Sequence, residues 1–136
     1  ALALDAVRRR WPSAEVVATC ATGGRPDMAL SVLGLLAGYA DAPVWIEEDE
    51  VTARILHQDE TWTIENAEGK TFSIIAIAPN TEISEHGLEW ELDHSPLGLL
   101  ADTGISNVVR STAKIQVHQG VAIGYLYREG FIGTVG

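Results

Sequence analysis

Cysteine is nearly missing from this sequence, and so is positive charge. One cysteine, Cys20, occurs in 136 residues, so no internal disulfide framework can form. That usage fits a reducing compartment, and a cytoplasmic location is the expectation. Lysine and arginine number 9 against 19 aspartates and glutamates, a formal charge of −10. A field of that sign repels phosphate backbones and anionic bilayers, so neither nucleic acid nor membrane is expected as a partner. An anionic substrate would need a local basic pocket or a bound cation. No apolar run approaches the roughly 20 residues of a membrane-spanning helix. The N-terminus, ALALDAVRRR, carries its charges after its apolar residues, the reverse of a signal peptide, and it begins without Met. A processed, trimmed or partial chain is therefore expected. The four histidines, at 57, 86, 94 and 118, have no zinc-motif spacing and read as surface or loop residues.

What is present suffices for a core: 46% of the residues are hydrophobic, which sets disorder aside. ALALDAVRRR suits a helix with its arginines at the C-terminal end, where the helix dipole favours cations. Trp11-Pro12-Ser13 breaks it. EVVATC (15–20) reads as a strand buried on both faces, with Cys20 a buried structural thiol. A glycine turn follows. Pro26 suits the first turn of a helix, Asp27 complements its dipole, and Leu30, Val32, Leu33, Leu35 and Leu36 form its apolar stripe. PVWIEED (43–49) is the next strand, with EEDE (47–50) its solvated end. Strand, glycine turn, helix, strand is a βαβ half-unit, whose sheet needs further strands from elsewhere.

Beyond about residue 50 the rhythm becomes short and alternating: VTARILH, TWTIEN, TFSIIAIA, GLEWELD, AKIQVHQG and VAIGYLY. Glu68-Gly69, Pro79-Asn80, His94-Ser95-Pro96 and Gln119-Gly120 read as the turns between them. This spacing indicates an antiparallel sandwich or barrel. The fold class expected is α+β: the end of an α/β parallel-sheet domain (1–50) followed by an antiparallel β-sandwich (51–136).

Three places are candidates for chemistry. In TGGRPD (22–27), Gly23 and Gly24 expose backbone N–H groups at a helix mouth. Arg25 can fork onto a phosphate or carboxylate. Asp27 can hold Mg²⁺ or take a hydroxyl proton. A plain turn with an exposed ion pair is the alternative. In DTGISNVVRS (102–111), Ser106 and Asn107 suit the edge of a heterocycle, with Arg110 the only nearby cation. A hairpin turn with a local Ser-Asn bond is the alternative there. Among the tryptophans, Trp62 reads as packing, and Trp90 stays open between packing and ring stacking.

In order and spacing these stretches resemble the thiamine pyrophosphokinase family. The motifs are Gly23-Gly24-Arg25-Pro26-Asp27-Met28, TFSIIAIA (71–78), GLEWEL (87–92), and Gly104-Ile105-Ser106-Asn107 before KIQVHQGVAIGYL. The resemblance spans nearly the whole chain and implies an α/β domain followed by a β-sandwich. It implies a Mg²⁺-dependent transfer of a pyrophosphoryl group from ATP to thiamine, giving thiamine diphosphate and AMP. It also implies a homodimer with thiamine bound between subunits. Carried over, Gly23, Gly24 and Arg25 would bind ATP phosphates, and Asp27 would serve catalysis and the metal. Ser106 and Asn107 would face the thiamine ring, with Trp90 beside them. Three positions depart from the family pattern: its His is Met28, its Asn is Val32, and the Glu after Ser-Asn is Val108. The family's Asp-x-Asp and Thr-Asp-x-x-Lys motifs do not occur in these 136 residues. The resemblance thus leaves open a C-terminal part of such an enzyme, or a non-catalytic thiamine-binding or dimerisation module.

Overall fold

The structure, a computed structural model, describes residues 6, 9–11, 15–19, 25–38 and 43–129. Within the expected N-terminal helix, Ala6, Arg9 and Arg10 are helical. Cys20, Gly23 and Gly24 lie outside the described residues. The chain order is β1 (Val16–Thr19), α1 (Pro26–Ala37), β2 (Val44–Glu47), β3 (Val51–Leu56), β4 (Thr61–Ile64), β5 (Thr71–Ala76), β6 (Thr81–Leu88), β7 (Leu92–Leu97), β8 (Gly104–Gln119) and β9 (Ala122–Tyr127). The described residues are mostly β. They form a nine-stranded open sheet ordered β1-β2-β3-β9-β5-β8-β6-β7, with β4 paired to β8.

Among the described residues β1 and β2 are the one parallel strand pair, beside an isolated parallel bridge between Ala76 and Leu99; the other strand pairs are antiparallel. The further strands that the βαβ unit requires come from the same chain. β3 pairs with β2, Val44 opposite Ile55, and β9 pairs with β3 and then β5. The sheet therefore runs without a break across residue 50. β8, the longest strand, meets β5 through its first residues (Thr71↔Val108, Phe72↔Asn107) and β4 through later ones (Trp62↔Ile115). Its other edge carries β6.

Alternation in β2, β3 and β9 sends side chains into two cores. Val44, Ile46, Ala53, Ile55 and Ile123 pack with Leu36 of α1. Leu56 and Ala122 join the larger cluster around Trp62, Phe72, Ile74, Ile83, Val109 and Ile115, with Trp45 against it. The middle of the sheet is thus covered on both faces, by the helix on one and by the other strands on the second. Trp62 is core packing, as the sequence suggests, edge-on to both Trp45 and Phe72 with centroids 5.3 and 5.8 Å apart. Pro26 opens α1 and Asp27 lies in its first turn.

Several expectations need correction. Among the described residues β1 lies at the edge of the sheet, alternately half-buried and exposed rather than buried on both faces. Residues 81–88 form a strand that the sequence reading missed. GLEWELD is no strand: its first residues end β6, residues 89–91 turn, and Leu92 begins β7. His94, Ser95 and Pro96 lie in β7, an edge strand where a missing N–H is tolerated. DTGISNVVRS is no hairpin turn, since Gly104 opens β8 directly. His57 lies in the loop after β3, as expected, but is buried there, and His118 is half-buried within β8. The loop position of His57 is well tied. The His57 Nδ1 lies 3.0 Å from Glu60 Oε1 and its Nε2 2.7 Å from the Ala37 carbonyl, tying the end of β3 to the end of α1.

Gly87 marks a bulge in β6. The register to β8 slips between His86 and Leu88, and Gly87 has φ +84° with its α-carbon against the Thr112 carbonyl. A side chain there would be both strained and obstructed. Gly87→Ala should cost about 2–3 kcal/mol, read from urea denaturation; an unchanged midpoint would contradict this register.

Candidate functional site

The β6–β7 turn and the start of β8 form one corner. β8 carries an extra residue against β5, since Phe72 pairs with Asn107 but Ile74 with Gly104. The bulge puts Ser106 at φ +61°, a conformation that costs a non-glycine residue energy and that concentrates at functional sites. Ser106 N–H donates to Ser73 Oγ at 2.9 Å. Its own hydroxyl has no hydrogen bond among the described residues.

Asn107, next along, is 2% exposed. Its Oδ1 accepts from the N–H of Trp90 (3.0 Å) and of Val108 (2.9 Å). Its Nδ2 donates to the Trp90 carbonyl (2.9 Å) and to Glu85 Oε1 (3.3 Å). Two acceptor sites and two protons are all that a side-chain amide offers. Asn107 is therefore spent on holding the turn and has nothing left for a ligand.

The turn is tied from other directions as well. Glu89 N–H donates to the Val108 carbonyl at 2.8 Å. Gly87 N–H donates to Glu91 Oε2 at 2.8 Å, and Arg110 pairs with Glu89 at 2.6 Å. The result is a Trp90 whose backbone is clamped while its side chain is 58% exposed. A large exposed aromatic on a fixed backbone can serve as a stacking platform.

Behind the corner lies a group that the sequence reading missed. Glu85 of β6 is 1% exposed. Its Oε2 has no hydrogen-bond partner among the described residues. Burial pushes its carboxyl up to about 7, and the Asn107 amide only partly offsets that. The sequence signal was an acid two residues after Ile83 in an inward row, legible only once 81–88 is known to be a strand.

A second unforeseen cluster sits on β6, β7 and β8. Ser84 Oγ lies 2.7 Å from His118 Nε2 and accepts from the His94 N–H at 2.9 Å. His118 stacks on His94 at 3.9 Å. The hydrogen bond from His94 holds the Asp93 carboxyl below its usual range.

The loop candidates Arg25 and Asp27 are engaged with each other rather than with this corner. Arg25 and Asp27 pair with each other at 2.6 Å, both side chains well exposed. An exposed pair of this kind contributes about 0–1 kcal/mol, so a stronger ligand can open it. No hydrogen bond or ion pair joins them to Trp90, Ser106 or Asn107 among the described residues. Also among those residues, no group of three or more His, Cys, Asp or Glu side chains is placed to hold a metal ion, and no helix is long and apolar enough to cross a membrane. An apolar cavity of about 440 Å³ lies between α1 and the 99–100 segment, lined by Leu30, Leu33, Ile75, Leu99, Leu100 and Tyr125 among others.

Residues 57–122 match the family model of the vitamin B1 binding domain of thiamin pyrophosphokinase. Residues 57–122 thus correspond to the vitamin B1 binding domain of the thiamin pyrophosphokinase family. The matched stretch contains the whole Trp90–Asn107 corner and Glu85. Solved structures share the fold. A thiamine pyrophosphokinase from Bacillus subtilis superposes with a TM-score of 0.77 at 18% identity, over 94% of this chain and 62% of that one. One from Geobacillus thermodenitrificans gives 0.75 at 21%, over 98% and 62%. The Candida albicans thiamin pyrophosphokinase gives 0.70 at 12%, over 85% and 44%. The chain thus spans about three fifths of the two bacterial structures and less than half of the fungal one. No curated protein sequence matches it.

The raised Glu85 carboxyl fixes a sign. Between the ordinary carboxylate value of 4.5 and about 7, the native state holds a proton that the unfolded chain has released. Stability from this group is present in full at low pH and lost as pH rises through that window. The loss is about 3 kcal/mol if the whole shift is realised. Urea denaturation at pH 5 and pH 8 should show Glu85→Gln losing less stability than the native protein over that interval. Equal losses would contradict a buried, protonated Glu85.

Proposed function

We propose that the Trp90–Ser106–Asn107 corner binds thiamine, and that the chain is the C-terminal part of a thiamine pyrophosphokinase-like transferase. The single observation that carries this reading is the exposed, clamped Trp90 inside the segment that matches the vitamin B1 binding domain. Thiamine is a cation with a flat aminopyrimidine. A surface tryptophan offers it a π-face, Ser106 Oγ a hydrogen-bond partner, and the acidic surface a favourable field. Asn107 serves by holding the corner rather than by touching the ring.

In the whole protein the reading is transfer of a pyrophosphoryl group from Mg²⁺-bound ATP to the thiamine hydroxyl, releasing AMP. In this reading the residues after about 50 correspond to the family's sandwich domain and those before it to the end of its α/β part, with one sheet continuing from the first into the second. Arg25 and Asp27 fit a place at a magnesium–polyphosphate: their mutual pair is exposed and opens at little cost. Arg25 would then fork onto phosphate oxygens, and Asp27 would ligate the metal or orient the hydroxyl, with Gly23 and Gly24 lending backbone donors. Bound Mg²⁺ would neutralise phosphate charge, so the residues' own work is positioning. Among the described residues no hydrogen bond or ion pair joins Arg25 or Asp27 to the corner, and a homodimer in which one subunit's loop meets the other's Trp90 would bring them together. Exposed Leu30, Leu99 and Leu100 around the apolar cavity, with exposed Met28 on the same helix as Leu30, support contact with a second copy.

A second reading, a non-catalytic thiamine-binding or dimerisation module, is favoured by the Arg25–Asp27 pair, in which each charge already answers the other. AMP release separates the two. In the full-length protein, Asp27→Asn should lower AMP formation by about a hundredfold while thiamine binding, measured by calorimetry, stays. Unchanged turnover would remove Asp27 from the chemistry. Trp90→Ala should weaken thiamine binding about tenfold, as loss of one aromatic stack does. An unaltered affinity would remove the platform.

A further inference from the structure

We propose that Glu85 is a positioning residue for this corner, acting through the Asn107 amide on the backbone of Trp90. The inference rests on the thiamine-binding reading and extends it to a residue that touches no ligand. Glu85 sits between β7 and β8, opposite Leu92 and Ile115, where an apolar side chain would fill the space without a desolvation cost. Stability alone does not account for an acid there.

Its single contact does. The Asn107 Nδ2 protons are shared between Glu85 Oε1 and the Trp90 carbonyl. A carboxylate drawing on one of them polarises the amide and makes Oδ1 a stronger acceptor for the Trp90 and Val108 N–H groups. Ionised Glu85 therefore tightens the turn, and protonated Glu85 slackens it. The other charged groups nearby are engaged or exposed. Glu89 pairs with Arg110, Glu91 holds the Gly87 N–H, and Asp93 holds His94. His86 is exposed opposite Lys114. Burial and the Asn107 amide set the proton affinity of Glu85, and no charged neighbour contributes.

The test compares the full-length protein with its Glu85→Gln variant. Thiamine is titrated calorimetrically from about pH 6 to pH 8, and amide-exchange protection of Trp90 and Val108 is followed over the same range. The native protein should bind about fivefold more tightly at the upper end, with protection rising in step, while the variant stays flat. Bound thiamine with parallel pH profiles in both proteins overturns the inference and leaves the functional reading standing. No thiamine binding at any pH removes the functional reading and this inference with it. Should the variant fail to fold, the native protein still decides: the midpoint of Trp90 protection must coincide with the carbon-detected titration of the Glu85 carboxyl. A mismatch overturns the proposal.

Discussion

One side-chain amide organises the candidate site. Asn107 reaches from the start of β8 across to the β6–β7 turn and satisfies both backbone groups of Trp90. Without that bridge the turn would keep a backbone bond at Glu89 and two ion or carboxylate contacts, but nothing would fix the tryptophan itself. The bridge is possible only because β8 bulges against β5 just before it, placing Ser106 in a left-handed conformation and Asn107 inward. Local strain at one residue thus holds the backbone of another, and an exposed aromatic on a fixed backbone is the outcome.

The rest of the fold gives that corner a firm base. β8 is held by β5, β4 and β6 in turn. The sheet is packed on both faces through β2, β3 and β9. Interiors of this kind transmit position faithfully because they are close-packed. The helix that carries Arg25 and Asp27 at its start rests on the same sheet from the other side, through Leu36.

Much of this was legible in the sequence, and the failures have physical causes. Pro26 and the leucine stripe announced α1, and β3, β4, β5 and β9 followed from apolar alternation bounded by turn residues. Trp62 was read correctly as packing. The strand 81–88 was missed because its inward row includes Thr81 and Glu85, and an alternation rule does not count an acid as inward. GLEWELD alternated well yet proved to be a turn, because Asn107, seventeen residues away from Trp90 in sequence, captures its backbone. The burial of His57 in its loop was hidden for the same reason: Glu60 and the Ala37 carbonyl, both brought in by the fold, make it tolerable. Local pattern identifies residue types, whereas long-range hydrogen bonds decide which of them face inward. Of the three residues that the resemblance assigns to thiamine, Asn107 and Trp90 are joined by hydrogen bonds seventeen residues apart in sequence, a link that no local pattern announces.

The central claim, that this corner takes up thiamine on the face of Trp90, is tested most directly by following indole N–H resonances in the full-length protein as thiamine is added. The account predicts that the Trp90 signal shifts in a saturable way while that of Trp62, buried in the core, stays in place. A Trp90 signal that does not move at saturating thiamine would contradict it.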